Sequence, residues 1–289
     1  MAGESIEIYN PDRVCEISVQ DLEYREGMAV RVYHPKGTGP FPALIDVHGG
    51  VWSSGDKTNA AVMDRALAES GMVVAAIDFR LAPQHPYPAQ VADVNFATRW
   101  LKSRAADLNA DPNTVGAIGS SSGGHSVLLS GMRPHHPWYN SLDLLEELSG
   151  SEADATLKYI LAAWPIVDPH ARYRYAQEGE KTRLAELSEG YFLATAAMEE
   201  GNPFQILLRR EEVHLPPTLL IQGTADQNLP VPVTEQFVAA YRQAGGTIEL
   251  EMFPDMPHGF GYTASPDTDR AVALMKKFVA RCLAEAEAV

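Results

Sequence analysis

A serine hydroxyl is a weak nucleophile until a base stands beside it and a third group orients that base. Ser121 is the candidate here. It lies at the centre of Gly119-Ser120-Ser121-Ser122-Gly123, with glycines two positions to either side. The spacing has a steric reason. A strand-to-helix turn that exposes a serine oxygen strains the backbone and presses the flanking positions against strand and helix, where only very small side chains fit. Taken alone the pattern also describes a Gly/Ser-rich loop, so its meaning depends on what partners it finds.

Two partners follow in the chain. Asp226 lies in Gly223-Thr224-Ala225-Asp226-Gln227-Asn228, directly after an apolar run at 218–222. His258 lies in Asp255-Met256-Pro257-His258-Gly259-Phe260, after the last expected strand at 248–253. Loops at the C-terminal ends of neighbouring strands bring distant residues within hydrogen-bond reach, so the expected catalytic set is Ser121, Asp226 and His258. Asp255 stands too close to His258 to reach the far side of its ring. Asp168 is the better reserve acid, although Asp168-Pro169 also reads as a turn. His125, four residues after Ser121, reads as a packing residue. Acyl transfer further needs donors for a developing oxyanion. His48-Gly49-Gly50 ends a strand and lets backbone approach a substrate, so the amides of Gly50, Val51 and Ser122 are the expected hole.

The elements that must position these groups are legible in the hydrophobic pattern. Two β-like stretches at 14–19 and 28–33 read as a hairpin around a polar segment at 23–27, and Pro and Gly residues then mark a loop. Strands are expected at 43–47, 72–77, 157–164, 218–222 and 248–253, with one more ending at Gly119. Helices are expected at about 60–70, 89–104, 123–131, 233–243 and 267–285. Strands alternating with helices imply an α/β fold: a mostly parallel eight-stranded sheet covered on both faces, as one domain over 1–289. Segments 132–156 and 168–215 interrupt the alternation on the C-terminal side of their strands. They read as a helical cap over the site.

Bulk properties narrow the function classes. The 289 residues are 45% hydrophobic and 21% charged, ordinary for a globular protein, and the net charge is −15. That charge argues against nucleic acid, an anionic membrane surface or a polyanionic substrate. Cys15 and Cys282 make neither a disulfide framework nor a zinc pair, and the histidines show no H-E-x-x-H spacing, so no metal is expected. No Walker loop or G-x-G-x-x-G opens a βαβ unit, so no cofactor is expected either. No basic-then-apolar leader and no membrane-length apolar run are visible, and a cytoplasmic enzyme is the expectation.

Together, His48-Gly49-Gly50, the run from Asp78-Phe79-Arg80-Leu81-Ala82-Pro83 to Ala89, and Gly119-Ser120-Ser121-Ser122-Gly123-Gly124 resemble the hormone-sensitive-lipase-like esterases of the α/β-hydrolase superfamily. The resemblance runs from about Phe41 to the C-terminus. It implies carboxylic ester hydrolysis with Ser121, Asp226 and His258 at the matching triad positions, and it admits a homodimer. Two departures bear on substrate. Val51-Trp52 follows His-Gly-Gly in place of a third glycine, a pattern that looks like the kynurenine-formamidase and small acyl-esterase branches. Ser120 stands where the lipase-like family more often has Asp. The expected substrate is a small neutral ester with an aromatic or short acyl part, met by Trp52, Trp138, Tyr139, Trp164, Tyr173 and Tyr191 near the mouth of the site. An amidase or arylformamidase using the same triad, an acyltransferase, and a non-catalytic ligand-binding protein on the same fold are the alternatives.

Overall fold

The computed structural model describes residues 9–144 and 153–286. Its centre is an eight-stranded sheet in the order β1-β2-β4-β3-β5-β6-β7-β8. The strands are β1 (Ile17–Arg25), β2 (Met28–Pro35), β3 (Ala43–Val47), β4 (Val73–Ile77), β5 (Gly116–Ser120), β6 (Ile160–Ala163), β7 (Thr218–Gly223) and β8 (Ile248–Phe253). β1 and β2 pair antiparallel, as do β2 and β4, and every other pairing is parallel. The central parallel strands are buried along their whole length, which is why they read as unbroken apolar runs. β1 begins later and extends further than the sequence pattern suggests. It is an edge strand, where polar residues such as Gln20, Asp21 and Glu23 face solvent at little cost, and it turns only at Gly27, whose φ is 71°.

Helices α1 (Ala61–Glu69), α2 (Ala89–Ser103), α3 (Ser122–Met132), α4 (Pro169–Glu178), α5 (Thr182–Phe192), α6 (Thr195–Glu200), α7 (Pro203–Leu208), α8 (Val231–Gln243) and α9 (Pro266–Ala286) complete the described fold. Successive strand residues point to opposite faces, and the core divides accordingly. Ile45 and Val47 pack with Val91 and Trp100 of α2, Val127 of α3 and Phe237 of α8. Leu44 packs on the other face with Leu67 of α1 and Met275 of α9. Among the described residues, no helix is long and apolar enough to cross a membrane.

The strand order reverses around β3, which lies between β4 and β5, and such a switch point opens a crevice at the carboxyl ends of the strands. The segment expected as cap at 168–215 forms α4 to α7. Of the segment expected at 132–156, residues 145–152 lie outside the described residues. A third apolar cluster joins the 168–215 segment to the loop after β3: Trp52, Ala82, Ile166, Tyr191, Phe192 and Met198.

Candidate active site

The turn between β5 and α3 carries the strain that its glycine spacing implies. Ser121 sits at φ 54° and ψ −118°, a conformation that costs a non-glycine residue on the order of 1–3 kcal/mol. The glycines allow it. A Cβ on Gly119 would stand 2.7 Å from the Gly123 carbonyl oxygen, and one on Gly123 would collide with the Val47 carbonyl at the end of β3. The turn is held to its neighbours by backbone: Ser121 N–H donates to Ala163 O at 2.9 Å, and Ile166 N–H donates to Ser121 O at 3.1 Å.

Loops after β7 and β8 bring two further side chains to this serine. His258 Nε2 is 2.8 Å from Ser121 Oγ, and His258 Nδ1 is 2.8 Å from Asp226 Oδ2. An ionised carboxylate only accepts hydrogen bonds, so Nδ1 carries the proton and Nε2 is free to accept from the serine hydroxyl. Asp226 is also held by Gln222 Nε2 at 2.6 Å on Oδ2, and by the amides of Asn228 and Leu229 at 2.7 and 3.4 Å on Oδ1. Burial alone would raise its pKa, but the bond from His258, the attraction of that ring whenever it is protonated, and the donors from Asn228 and Gln222 outweigh it. The carboxyl is held below its ordinary value and stays ionised. The reserve acid Asp168 lies elsewhere. It caps α4, accepting from Ala171 N–H and Asn202 Nδ2 at 2.8 Å each. His125 is buried one turn into α3, accepting from Trp52 Nε1 at 3.2 Å and donating from Nε2 to Gly201 O at 2.7 Å. Burial pushes its pKa down to about 4, so it stays neutral.

Beyond β3 the backbone folds into an unusual loop. Gly50, Val51 and Trp52 have φ of 122°, 54° and 60°, and consecutive left-handed residues can turn their amides toward one side. Trp52 N–H is committed to Ser122 Oγ at 3.2 Å, which ties this loop to the Ser121 turn. Among the described residues, the amides of Gly50 and Val51 donate to no protein acceptor. Ser122 opens α3, where the helix offers its first amides no partner.

The Asp-Phe-Arg-Leu-Ala-Pro run, which the sequence singles out without a role, braces this loop from behind. Phe79 stacks on His48 at 4.2 Å between ring centroids, and Ala82 N–H donates to Trp52 O at 2.9 Å. Asp78 accepts from Lys57 N–H and Nζ, both at 2.9 Å. Arg80 and Arg25 both pair with Asp93 on α2, whose side chain is fully buried. A buried carboxylate left without these arginines would be strongly destabilising.

The six aromatics expected at the mouth divide among different roles. Trp52, Tyr139, Trp164 and Tyr191 are each no more than 1% exposed, so they build walls rather than present open faces. Trp52 and Tyr191 stack at 4.7 Å with only 5° between their planes. Tyr139 bonds the Tyr87 hydroxyl at 2.6 Å, and Trp164 packs on Phe260 and Tyr262 behind the His258 loop. Tyr173 of α4 donates to Glu189 of α5 at the surface. Trp138 alone of the six is exposed, at 53%, beside an apolar groove of about 650 Å³ shared with Tyr87, Pro88, Ala194 and Ala197. Large rings in loops lower their free energy by packing wherever a partner is near: Trp52 and Tyr191 find each other, while Tyr139 and Trp164 find Tyr87, Phe260 and Tyr262.

Three neighbours of the site carry no sequence motif. Gln222 is one polar residue at the end of an apolar strand, and its position just before the acid loop is the signal that marks it. Tyr262 donates to Ser120 at 3.0 Å. Arg172 of α4 is completely buried, lies 5.5 Å over the Trp52 ring, and bonds Ser188 and, at 3.2 Å, Asn228. Burial lowers its pKa to about 10, which leaves it a cation next to the acid loop.

Residues 30–241 match the family model described as BD-FAE. The chain is similar to esterase LipC of Mycobacterium tuberculosis, at 30% identity over 266 residues that cover 86% of this chain and 61% of LipC. It is similar also to the probable carboxylic ester hydrolase LipM of the same organism, at 25% identity over 252 residues, 86% of this chain and 56% of LipM. The chain therefore spans less than two thirds of either relative. Among solved structures, the propionate-bound esterase Est2 of Thermogutta terrifontis superposes with a TM-score of 0.70 at 25% identity, covering 92% of this chain and 94% of that one.

Proposed function

Because the chain belongs to the BD-FAE family, within the α/β-hydrolase superfamily, we propose that it is a serine hydrolase cleaving a small, neutral carboxylic ester through an acyl-enzyme. The observation that carries the proposal is the relay from Ser121 Oγ through His258 to Asp226, with both contacts at 2.8 Å. His258 Nε2 takes the hydroxyl proton as Ser121 Oγ bonds to the ester carbonyl carbon. Asp226 holds the imidazolium and fixes its orientation. The amides of Gly50, Val51 and Ser122 receive the oxyanion, a contribution of about 3–4 kcal/mol per donor in comparable sites. Collapse of the tetrahedral intermediate breaks the C–O bond, and His258 passes its proton to the departing alkoxide. Water then enters, gives a proton to His258 and attacks the acyl carbon. The second tetrahedral intermediate collapses by breaking the bond to Ser121 Oγ, His258 returns its proton to that oxygen, and the acid leaves.

The similarity to the esterases LipC and Est2 and to the probable carboxylic ester hydrolase LipM supports an ester as the scissile group. A second reading, hydrolysis of an N-formyl aryl amide, is favoured by one feature: Trp52 occupies the oxyanion loop and stacks into the cap cluster. A panel of aryl esters of increasing acyl length, N-formyl anilines and anilides separates the two, with Ser121→Ala as the blank. Short esters are expected to turn over fastest. Faster turnover of the formanilides would replace the ester reading, and activity surviving in Ser121→Ala would remove both.

A further inference from the structure

The hydrogen bond between Ser121 and His258 joins loops from β5 and β8, which are separated in the sheet by β6 and β7. That bond is remade in every turnover, because its proton moves. Something else must keep the two loops at hydrogen-bond distance while it is broken. Among the described residues, one other side-chain hydrogen bond joins them, from Tyr262 O–H to Ser120 Oγ at 3.0 Å.

The placement of that phenol is specific. Gly259, at φ 80°, turns the chain after His258 into a short 3₁₀ turn over Phe260–Tyr262, and the Tyr262 amide donates to Gly259 O at 3.1 Å. The ring meets Trp164 edge-on at 5.5 Å, directly beyond β6. Its hydroxyl lies against Gly49: a Cβ there would collide with the phenol oxygen and stand 3.1 Å from Ser121 Cβ. One oxygen thus touches the nucleophile turn and the His48-Gly49-Gly50 loop while belonging to the loop of the base. Ser120 itself is fully buried at the end of β5, and its hydroxyl accepts this bond. Burial raises the Tyr262 pKa, so the phenol remains a neutral donor.

We propose that Tyr262, through its hydrogen bond to Ser120, is a positioning residue that keeps His258 in register with Ser121 and with the oxyanion loop. The inference rests on the serine-hydrolase reading. It assigns Ser120 a task distinct from that of its neighbours: Ser121 attacks, Ser122 offers its amide, and Ser120 anchors the loop of the base.

The test is a double-mutant cycle on an aryl ester with Tyr262→Phe and Ser120→Ala. Tyr262→Phe keeps the ring against Trp164 and removes only the donor. A neutral hydrogen bond of this kind corresponds to a roughly three- to tenfold change in rate. Each single variant is expected to lower kcat by about that factor with KM within about twofold, since the loss falls on alignment rather than on substrate affinity. The double variant should be no slower than the slower single one. Unchanged kcat in Tyr262→Phe, or losses that multiply in the double variant, would overturn the assignment. A lowered melting temperature with normal kcat would make the bond structural only and would equally overturn it. If folded wild type has no Ser121-dependent turnover, the hydrolase reading falls and this one with it. If wild type turns over and Tyr262→Phe matches it, only the clasp falls.

Discussion

Replacing Asp226 by Asn tests the orientation of the relay at a single atom. The carboxylate accepts on both oxygens: Oδ2 takes His258 Nδ1 and Gln222 Nε2, and Oδ1 takes the Asn228 and Leu229 amides. An asparagine can match only one of these sets. With its oxygen toward the backbone amides, its NH₂ faces His258, so Nδ1 must accept and the ring proton moves to Nε2. The base is then blocked at the atom that faces Ser121. With the amide flipped, the NH₂ points at two backbone N–H groups and the loop loses its anchor. The first arrangement keeps more hydrogen bonds and is the expected one. A wrong tautomer in such a triad lowers kcat by about four orders of magnitude, corresponding to roughly 5–6 kcal/mol of barrier. The NH₂ also faces the Gln222 donor, and one unpaired buried group costs about 1–3 kcal/mol of stability. The assay is aryl-ester turnover with urea denaturation alongside it, so that loss of fold is separated from loss of chemistry. A folded Asp226→Asn protein retaining kcat within about tenfold of wild type would refute the argument, because the tautomer would then not depend on this carboxylate.

Gly123→Ala should unfold or inactivate the protein: the new methyl meets the Val47 carbonyl, backbone that cannot yield, and overpacking of this kind costs about 1–3 kcal/mol or more. Urea midpoints and ester turnover check it, and normal values for both would remove the steric account of the turn. Asp46 and Asp64 are fully buried carboxyls that burial pushes above their ordinary pKa, with Asp46 adding to the upward shift of Asp64. The unfolded carboxyls release their protons at lower pH than the folded ones, so folding takes up protons in the window between, and stability falls as pH rises through it. Asp64→Asn should therefore stabilise more at pH 8 than at pH 5, by up to about 1.4 kcal/mol per pH unit between those values; a pH-independent difference in urea midpoints would contradict this. Trp52→Ala, which empties a fully buried stack, should cost about 3–5 kcal/mol, whereas Trp138→Ala at an exposed edge should stay within about 0.5 kcal/mol. Equal melting temperatures for these two variants would mean that the Trp52–Tyr191 cluster does not hold the loop after β3.

The parts of the site readable in the sequence are those where backbone geometry restricts residue type. Gly119 and Gly123 are forced by contacts with helix and strand backbone, and Gly50 by its φ of 122°, so their spacing carries the turn and the loop. Strand ends are equally legible: the apolar run of β7 stops just before Asp226, and the alternating pattern of the edge strand β8 stops shortly before His258. Side-chain direction is another matter. An aromatic in a loop lowers its free energy by packing whether it lines a mouth or fills a wall, so sequence did not distinguish Trp138 from Trp52. The β1 boundary slipped for a related reason: an edge strand tolerates polar residues that a buried one does not. Arg172 and Tyr262 carry no sequence signal because their meaning lies in a contact across the fold, here with Asn228 and Ser120, while Gln222 is marked only by its place at a strand end just before Asp226.

The central claim, that Ser121 forms the covalent intermediate, is tested most directly by treating the folded protein with a fluorophosphonate and mapping the adduct by mass spectrometry. The account predicts one adduct, on Ser121 rather than on Ser120 or Ser122, absent in Ser121→Ala and slowed in Asp226→Asn. A folded wild type that stays unlabelled, or an adduct that persists in Ser121→Ala, would contradict it.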